Sequence, residues 1–284
     1  MGLSCRHAET GPRKRRGVVL GEERHSNATP GTIVTDVADS PRAMPARLPY
    51  PAAMGLLDRF RRRPAEPSGR TPQEQRDDAR DLASSLVDPG FLGRTDAIAA
   101  VTEMVEDDSD YYPDLSGAAA AEIAASMWDR RLAVEAEWSD EGDYERLLLA
   151  FGDLESRGVV ARMNFTCCQT CGHEEIGDER ADDSRGYTFF HQQDAEHLAP
   201  GASELFLAFG AFGPDPSLDA DLLARSLAGE PEARSEVIDR SEERIANEVV
   251  DALTSRGLRV EWSGNADQRI QVVDVDWRKR LPVN

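Results

Sequence analysis

The sequence predicts an α+β fold: N-terminal helices followed by a mostly antiparallel sheet of about five strands packed on helices. Three observations carry this. Apolar residues recur at helical spacing from Thr71 to about Arg157. From Val159 onward the period drops to two, in short runs. Brief turns join several of those runs, and short connections favour antiparallel neighbours. The same change of period divides the chain into a basic tail (1–70), a helical subdomain (71–157) and an α+β domain (158–284).

The tail comes first. Residues 1–53 mix proline, glycine and charge without apolar periodicity, the composition of a disordered segment. Met54 opens the first organised run and is expected to be the true start, with the preceding residues an over-extended gene start. Leu56, Leu57 and Phe60 share one helical face with arginines opposite, too short a face to anchor firmly on a membrane surface. Residues 64–71 read as linker.

Thr71-Pro72-Gln73-Glu74 has the cap, N1 proline and early acid of a helix start, and Asp88-Pro89-Gly90 ends that helix. Thr95-Asp96 caps a second, with Ile98, Val101 and Val105 on one face, broken at Tyr111-Tyr112-Pro113-Asp114. A third, alanine-rich helix carries Ile123, Met127, Val134 and Trp138 as its stripe. A fourth starts at Asp140 or Asp143, turns Leu147, Phe151 and Leu154 inward, and stops at Gly158.

A strand then runs from Val159 to Phe165 and leads into a cysteine-bearing turn. A short acidic helix is expected from about His173 to Asp183, then strands Tyr187–Phe190 and Leu205–Phe209. Gly213-Pro214-Asp215-Pro216 opens an irregular acidic insert. A long helix from about Glu232 to Arg256 buries Ile245, Val249 and Leu253, and Gly257 stops it. Val260–Trp262 and Ile270–Trp277 form a hairpin, in which the adjacent Val272 and Val273 shift the alternation and imply a bulge or a strand covered on both faces.

Charge narrows the partners. The first 70 residues hold 13 Lys+Arg against 7 Asp+Glu, leaving 20 against 46 for the remainder. A body so acidic repels phosphate backbones, so no nucleic-acid partner is expected. No run approaches the roughly 18 apolar residues of a membrane span, and Gly17-Val18-Val19-Leu20 is too short for a signal peptide's apolar region. The expected location is the cytoplasm, where thiols stay reduced and clustered cysteines point to metal or redox chemistry. The sequence names neither a binding partner nor an oligomeric state.

Three of the four cysteines stand at Cys167, Cys168 and Cys171, with His173 close behind. Cys168-Gln169-Thr170-Cys171-Gly172 has the C-x2-C-G form of a zinc knuckle, two residues being enough to bring both sulfurs to one ion. A closed zinc site needs four ligands, so Cys167, His173, His191 and His197 are the candidates for the rest. His191 and His197 have H-x5-H spacing, and 19 residues separate Cys171 from His191, more than a DNA-reading finger allows. If the strands at Val159 and Tyr187 lie side by side, both motifs emerge together.

Three readings stand. One is a zinc-stabilised binding or regulatory domain. Another is a small-molecule enzyme, either a metal-dependent hydrolase with His191 and Asp194 or a thiol/redox catalyst. A thioredoxin-like redox motif, however, wants a βαβ context, and an antiparallel sheet does not supply one. In the third, the thiols are small buried hydrophobes without metal. Gln192, Gln193 and Asp194 are polar site candidates that could equally cap the turn after the strand. Gly-x-Ser-x-Gly, the phosphate-binding loop and the dinucleotide fingerprint are all absent from the sequence.

The order of these motifs also carries a resemblance. Cys167-Cys168-Gln169-Thr170-Cys171-Gly172-His173, then Tyr187-Thr188-Phe189-Phe190-His191-Gln192-Gln193-Asp194, then Leu205-Phe206-Leu207-Ala208-Phe209-Gly210, then Gly257-Leu258-x-Val260-x-Trp262 resemble an actinobacterial family of uncharacterised domains of unknown function. The resemblance covers roughly Thr71 to Trp277. It implies common descent and brings no activity or catalytic residue with it.

Overall fold

The first described helix, α1 (Pro72–Val87), begins where the sequence says it should. Thr71 accepts from the Glu74 amide and Glu74 reaches back to the Thr71 amide, closing a capping box. The computed structural model describes residues 69–283. The expectations for the basic tail, the Met54 start and the Leu56–Phe60 face lie outside the described residues.

Helix α2 (Arg94–Asp107) starts two residues earlier than expected, with Gly93 at its cap and Thr95 and Asp96 inside its first turn. Ser116 caps α3 (Gly117–Glu135) by accepting from the Ala119 amide. The inward stripe of α3 is rotated from the expected one: Ala120, Ala124 and Trp128 are buried, and Val134 is exposed. The reason is close packing. Helix α3 touches both α1 and α2, and the small alanines let it approach Ala79, Leu82, Ala83, Val101 and Val105. Trp138 falls beyond the helix, with the Arg131 guanidinium 4.3 Å from its ring centre.

Helix α4 (Gly142–Glu155) buries Leu147, Phe151 and Leu154 as its spacing requires. Gly158 follows at φ +79°, the left-handed stop that a glycine accepts without strain. The chain then enters β1 (Val159–Arg162), α5 (Gln169–Glu175), a 3₁₀ turn (Ile176–Glu179), β2 (Gly186–Phe189), α6 (Gln192–Ala195) and β3 (Ala202–Ala211). After these come α7 (Ala220–Leu227), α8 (Pro231–Ser255), β4 (Arg259–Glu261) and β5 (Ile270–Asp276).

The strands form one sheet in the order β1-β2-β3-β5-β4. Three of its four pairings are antiparallel, but β1 and β2 run parallel. The sheet is therefore mixed, because α5 and the 3₁₀ turn form a crossover long enough to return the chain in the same direction. Helix α7, capped by Asp219, occupies part of the insert expected to be irregular. The bulge is present. Ser203 and Leu205 of β3 face Val275 and Val272, so β5 carries an extra residue between them, with Asp274 at φ 50°.

The pleat divides the sheet into two faces. Val159, Ala161, Leu205, Leu207, Val272 and Val275 join α4 and α8 in the main core. Val160, Tyr187, Phe189 and Ala208 face the other way, onto Ile176 of the 3₁₀ turn. The carboxy-terminal segment then returns to the helices. The Trp277 indole donates to Pro89 O at 3.0 Å, and buried Arg131 donates to Lys279 O at 2.7 Å.

Candidate metal and thiol site

The site grows from the end of β1. That strand is shorter than the expected Val159–Phe165 because Asn164 (φ 51°) and Thr166 (φ 57°) take left-handed conformations. Asparagine tolerates this region, whereas a β-branched threonine is strained there. Local hydrogen bonds offset the strain: the Thr166 hydroxyl donates to Phe165 O at 2.6 Å, and Thr166 O accepts from the Gln192 amide at 3.1 Å. The two kinks also move Phe165 off the face of Val159 and Ala161 and onto Phe189, at 5.8 Å between ring centres.

The expected knuckle turn is instead a helix start. Cys168 is the N-cap of α5, and Cys171 lies inside the first turn, so α5 begins four residues before the expected His173. Gly172 has a role different from the one the motif implied. A Cβ built on it would lie 2.5 Å from Phe189 Cζ, so its missing side chain lets α5 lie down on β2. Ile176 is buried on the same face and fixes the far end.

This arrangement gathers the three cysteines. Their sulfurs lie within 4.8 Å of one another, and Cys167 Sγ is 3.4 Å from Cys171 Sγ. None of the three is in a disulfide, and all are half-buried. Burial opposes ionisation of Cys168, but the Cys171 and Thr170 amides and the two neighbouring thiols outweigh it, and its pKa falls below the ordinary thiol value. Its side chain closes no regular cap hydrogen bond, so the amides act on the sulfur electrostatically. Cys171 is pushed the other way, by hydrogen bonding to Cys167 and Cys168, then by burial, then by the charge that those neighbours would carry. Of these two, Cys168 ionises the more readily.

The sulfur group contains none of the three histidines. His173 sits on α5 two residues after Cys171, with Nδ1 2.8 Å from the Tyr187 hydroxyl and Nε2 3.4 Å from the Gln169 amide nitrogen. His191 is buried and caps α6: its Nδ1 accepts from the Asp194 amide at 3.2 Å, and its Nε2 lies 3.1 Å from Asp194 Oδ2. That carboxylate oxygen also accepts from the His191 amide at 3.2 Å and from Arg269 at 2.5 Å. Burial, aided by Arg269 and opposed by Asp194, lowers the His191 pKa to about 4, so the ring is neutral at pH 7. Gln192 and Gln193 form the first turn of α6, and His197 is exposed beyond it.

Sequence spacing did not find Tyr187 as the partner of His173, nor Arg269 as the third member of the His191–Asp194 group. Arg269 lies 75 residues from Asp194, and no local pattern joins them.

A family model described as Domain of unknown function (DUF6891) matches residues 72–281. The chain belongs to that family. No curated protein and no solved structure matches it. The DUF6891 region spans every helix and strand from α1 to β5, and so contains both the cysteine trio and the buried His191 group. Among its described residues no helix is long and apolar enough to cross a membrane.

Proposed function

We propose that this DUF6891 chain is a cytoplasmic binding or regulatory domain in which Cys167, Cys168 and Cys171 hold one zinc ion. The convergence of three sulfurs within 4.8 Å of one another carries the reading. Tetrahedral zinc at about 2.3 Å from each sulfur needs sulfurs roughly 3.7 Å apart, which small side-chain rotations provide. Thiolates select soft ions, and the amides that favour the Cys168 thiolate prepare the first ligand. The fourth position falls to water or a partner's side chain, because His173 is engaged by Tyr187 and His191 by Asp194.

A thiol/redox catalyst is the second reading, and one observation favours it. The parallel pairing of β1 and β2 puts the cysteines in a βαβ unit, the context that an antiparallel sheet lacked. A small-molecule pocket at the site has less support. Two surface hollows of about 190 and 270 Å³ lie along Arg180–Phe212 and Arg76–Met127, and neither is lined by the cysteines.

Metal analysis of freshly purified full-length protein tests the proposal. About one zinc per chain is expected, with Cys168→Ser reducing retention by 10-fold or more. Zinc retained undiminished after all three cysteines are replaced by serine would sink it.

A further inference from the structure

The motif and the geometry pick different pairs. C-x2-C spacing joins Cys168 to Cys171, yet the contact at 3.4 Å is between Cys167 and Cys171. We propose that Cys167 and Cys171 are a peroxide-oxidisable disulfide pair, and that closing it releases the ion by removing two of its three sulfur ligands. The inference rests, in its release step, on the metal reading above.

Geometry supports the bond. A disulfide needs its sulfurs at about 2.0 Å, so they must approach by roughly 1.4 Å, within reach of side-chain rotation. All three cysteines are half-buried, so a small oxidant reaches them while a protein's disulfide would be hindered. The kinked Asn164–Thr166 segment feeds Cys167 toward the first turn of α5, where Cys171 is held, and Phe189 beneath Gly172 keeps that turn in place. Cys168 remains as a single thiol, and one sulfur does not hold zinc against water.

The chemistry balances. One thiolate of the pair attacks an oxygen of hydrogen peroxide, the O–O bond breaks, and sulfenic acid and hydroxide form. The second sulfur attacks that sulfenic sulfur and expels its oxygen as hydroxide. Two protons convert both hydroxides to water. The pair loses two electrons, the peroxide gains them, and the ion leaves with its charge no longer neutralised.

Zinc-loaded full-length protein is treated with hydrogen peroxide, with a chromogenic chelator reading release and non-reducing peptide mapping by tandem mass spectrometry reading the bond. The expected result is a Cys167–Cys171 link rising in step with released zinc, while Cys168 still takes an alkylating label. Cys168→Ser should still form the link, and Cys167→Ser should lose it. Mapping of the unsubstituted chain does not depend on how the variants fold. A predominant Cys168–Cys171 link, or zinc release with all three thiols unlinked, would overturn the inference. A chain that forms the Cys167–Cys171 link but never held zinc would uphold the pair and overturn the metal reading and the release step.

Discussion

Gly172→Ala is the sharpest test of how the cysteine helix is seated. Adding a methyl to a helical glycine ordinarily helps, by about 0.5–1 kcal/mol, because the unfolded chain loses freedom. At Gly172 the new Cβ would lie 2.5 Å from Phe189 Cζ and 3.2 Å from Cδ2. The ring has nowhere to go. Phe189 is fully buried, with His173, Phe165 and Tyr187 at 5.3, 5.8 and 6.0 Å between ring centres. Overpacking of this kind costs about 1–3 kcal/mol, so the net effect is a loss of up to about 2 kcal/mol. Gly152→Ala is the control. Gly152 is an exposed residue of α4 with nothing within 4 Å of the added atom, so the same change should stabilise by about 0.5–1 kcal/mol. Urea unfolding of both variants reads the contrast. Adding Phe189→Leu should shrink the cost of Gly172→Ala, since the two side chains share one space. A Gly172→Ala protein as stable as Gly152→Ala would show that α5 does not rest on Phe189.

Two further expectations follow from buried polar groups. The His191 pKa is lowered in the folded protein, so the unfolded chain binds more protons between about pH 4 and 6.5. The stability tied to the neutral ring is complete above about pH 6.5 and falls as pH drops toward 4, by about 3 kcal/mol in all. His191→Asn keeps a capping acceptor and removes the titration, so its unfolding free energy should decline less steeply across that window; parallel curves would contradict the assignment. Trp277→Phe strands the Pro89 carbonyl and leaves a gap among Tyr144, Phe91 and Phe190. A loss of about 2–3 kcal/mol is expected in urea unfolding, and a change below about 0.5 kcal/mol would mean that the carboxy-terminal segment does not hold the helices.

The legible parts of this fold are those whose causes are local. The Thr71–Glu74 box, the stops at Gly158 and Gly257 and the β4–β5 hairpin each depend on residues a few positions apart. A bulge in β5 was legible too, because a slip of one residue in a period-2 pattern shows directly, although it falls at Val273–Asp274, one residue beyond the Val272-Val273 pair. What escaped depends on tertiary contact. Thr170 and Cys171 are weak helix formers and Gly172 is a poor one, so their propensities do not place the start of α5 at Gln169. Gly172 against Phe189 and Ile176 in the sheet's second core hold that helix, and it in turn makes β1 and β2 parallel. The short α7 escaped for another reason: the acidic residues around it mask local signs that are present, the Asp219 cap, Leu222 and Leu223, and Gly229 at φ 98° just past its end. At the site, the grouping of the cysteines was legible from spacing, whereas Arg269 and Tyr187 enter by strand pairing at long range.

The same end of the sheet thus supports two polar centres with different duties. The Phe165 amide donates to Phe190 O and the Gln192 amide to Thr166 O, so the exits of β1 and β2 are tied together. Beyond that tie the chain divides by face. Ile176, following the cysteine helix, packs with Phe189 and Tyr187, while Ala195 and Leu198, following the His191 cap, pack with α4 and α8. Neighbouring backbones therefore lead to separate cores, and the side chains at their ends answer to different demands. His191 must stay neutral and dry to cap α6; a zinc ion on its ring would displace the bonds to Asp194 that hold it. The cysteines are half-buried, with their sulfurs within 4.8 Å of one another. Acid sensitivity and metal retention should therefore separate: His191→Asn should alter the first and spare the second, and Cys168→Ser should do the reverse. Zinc lost from His191→Asn while the protein remains folded at neutral pH would place the ring among the ligands and join the two centres into one.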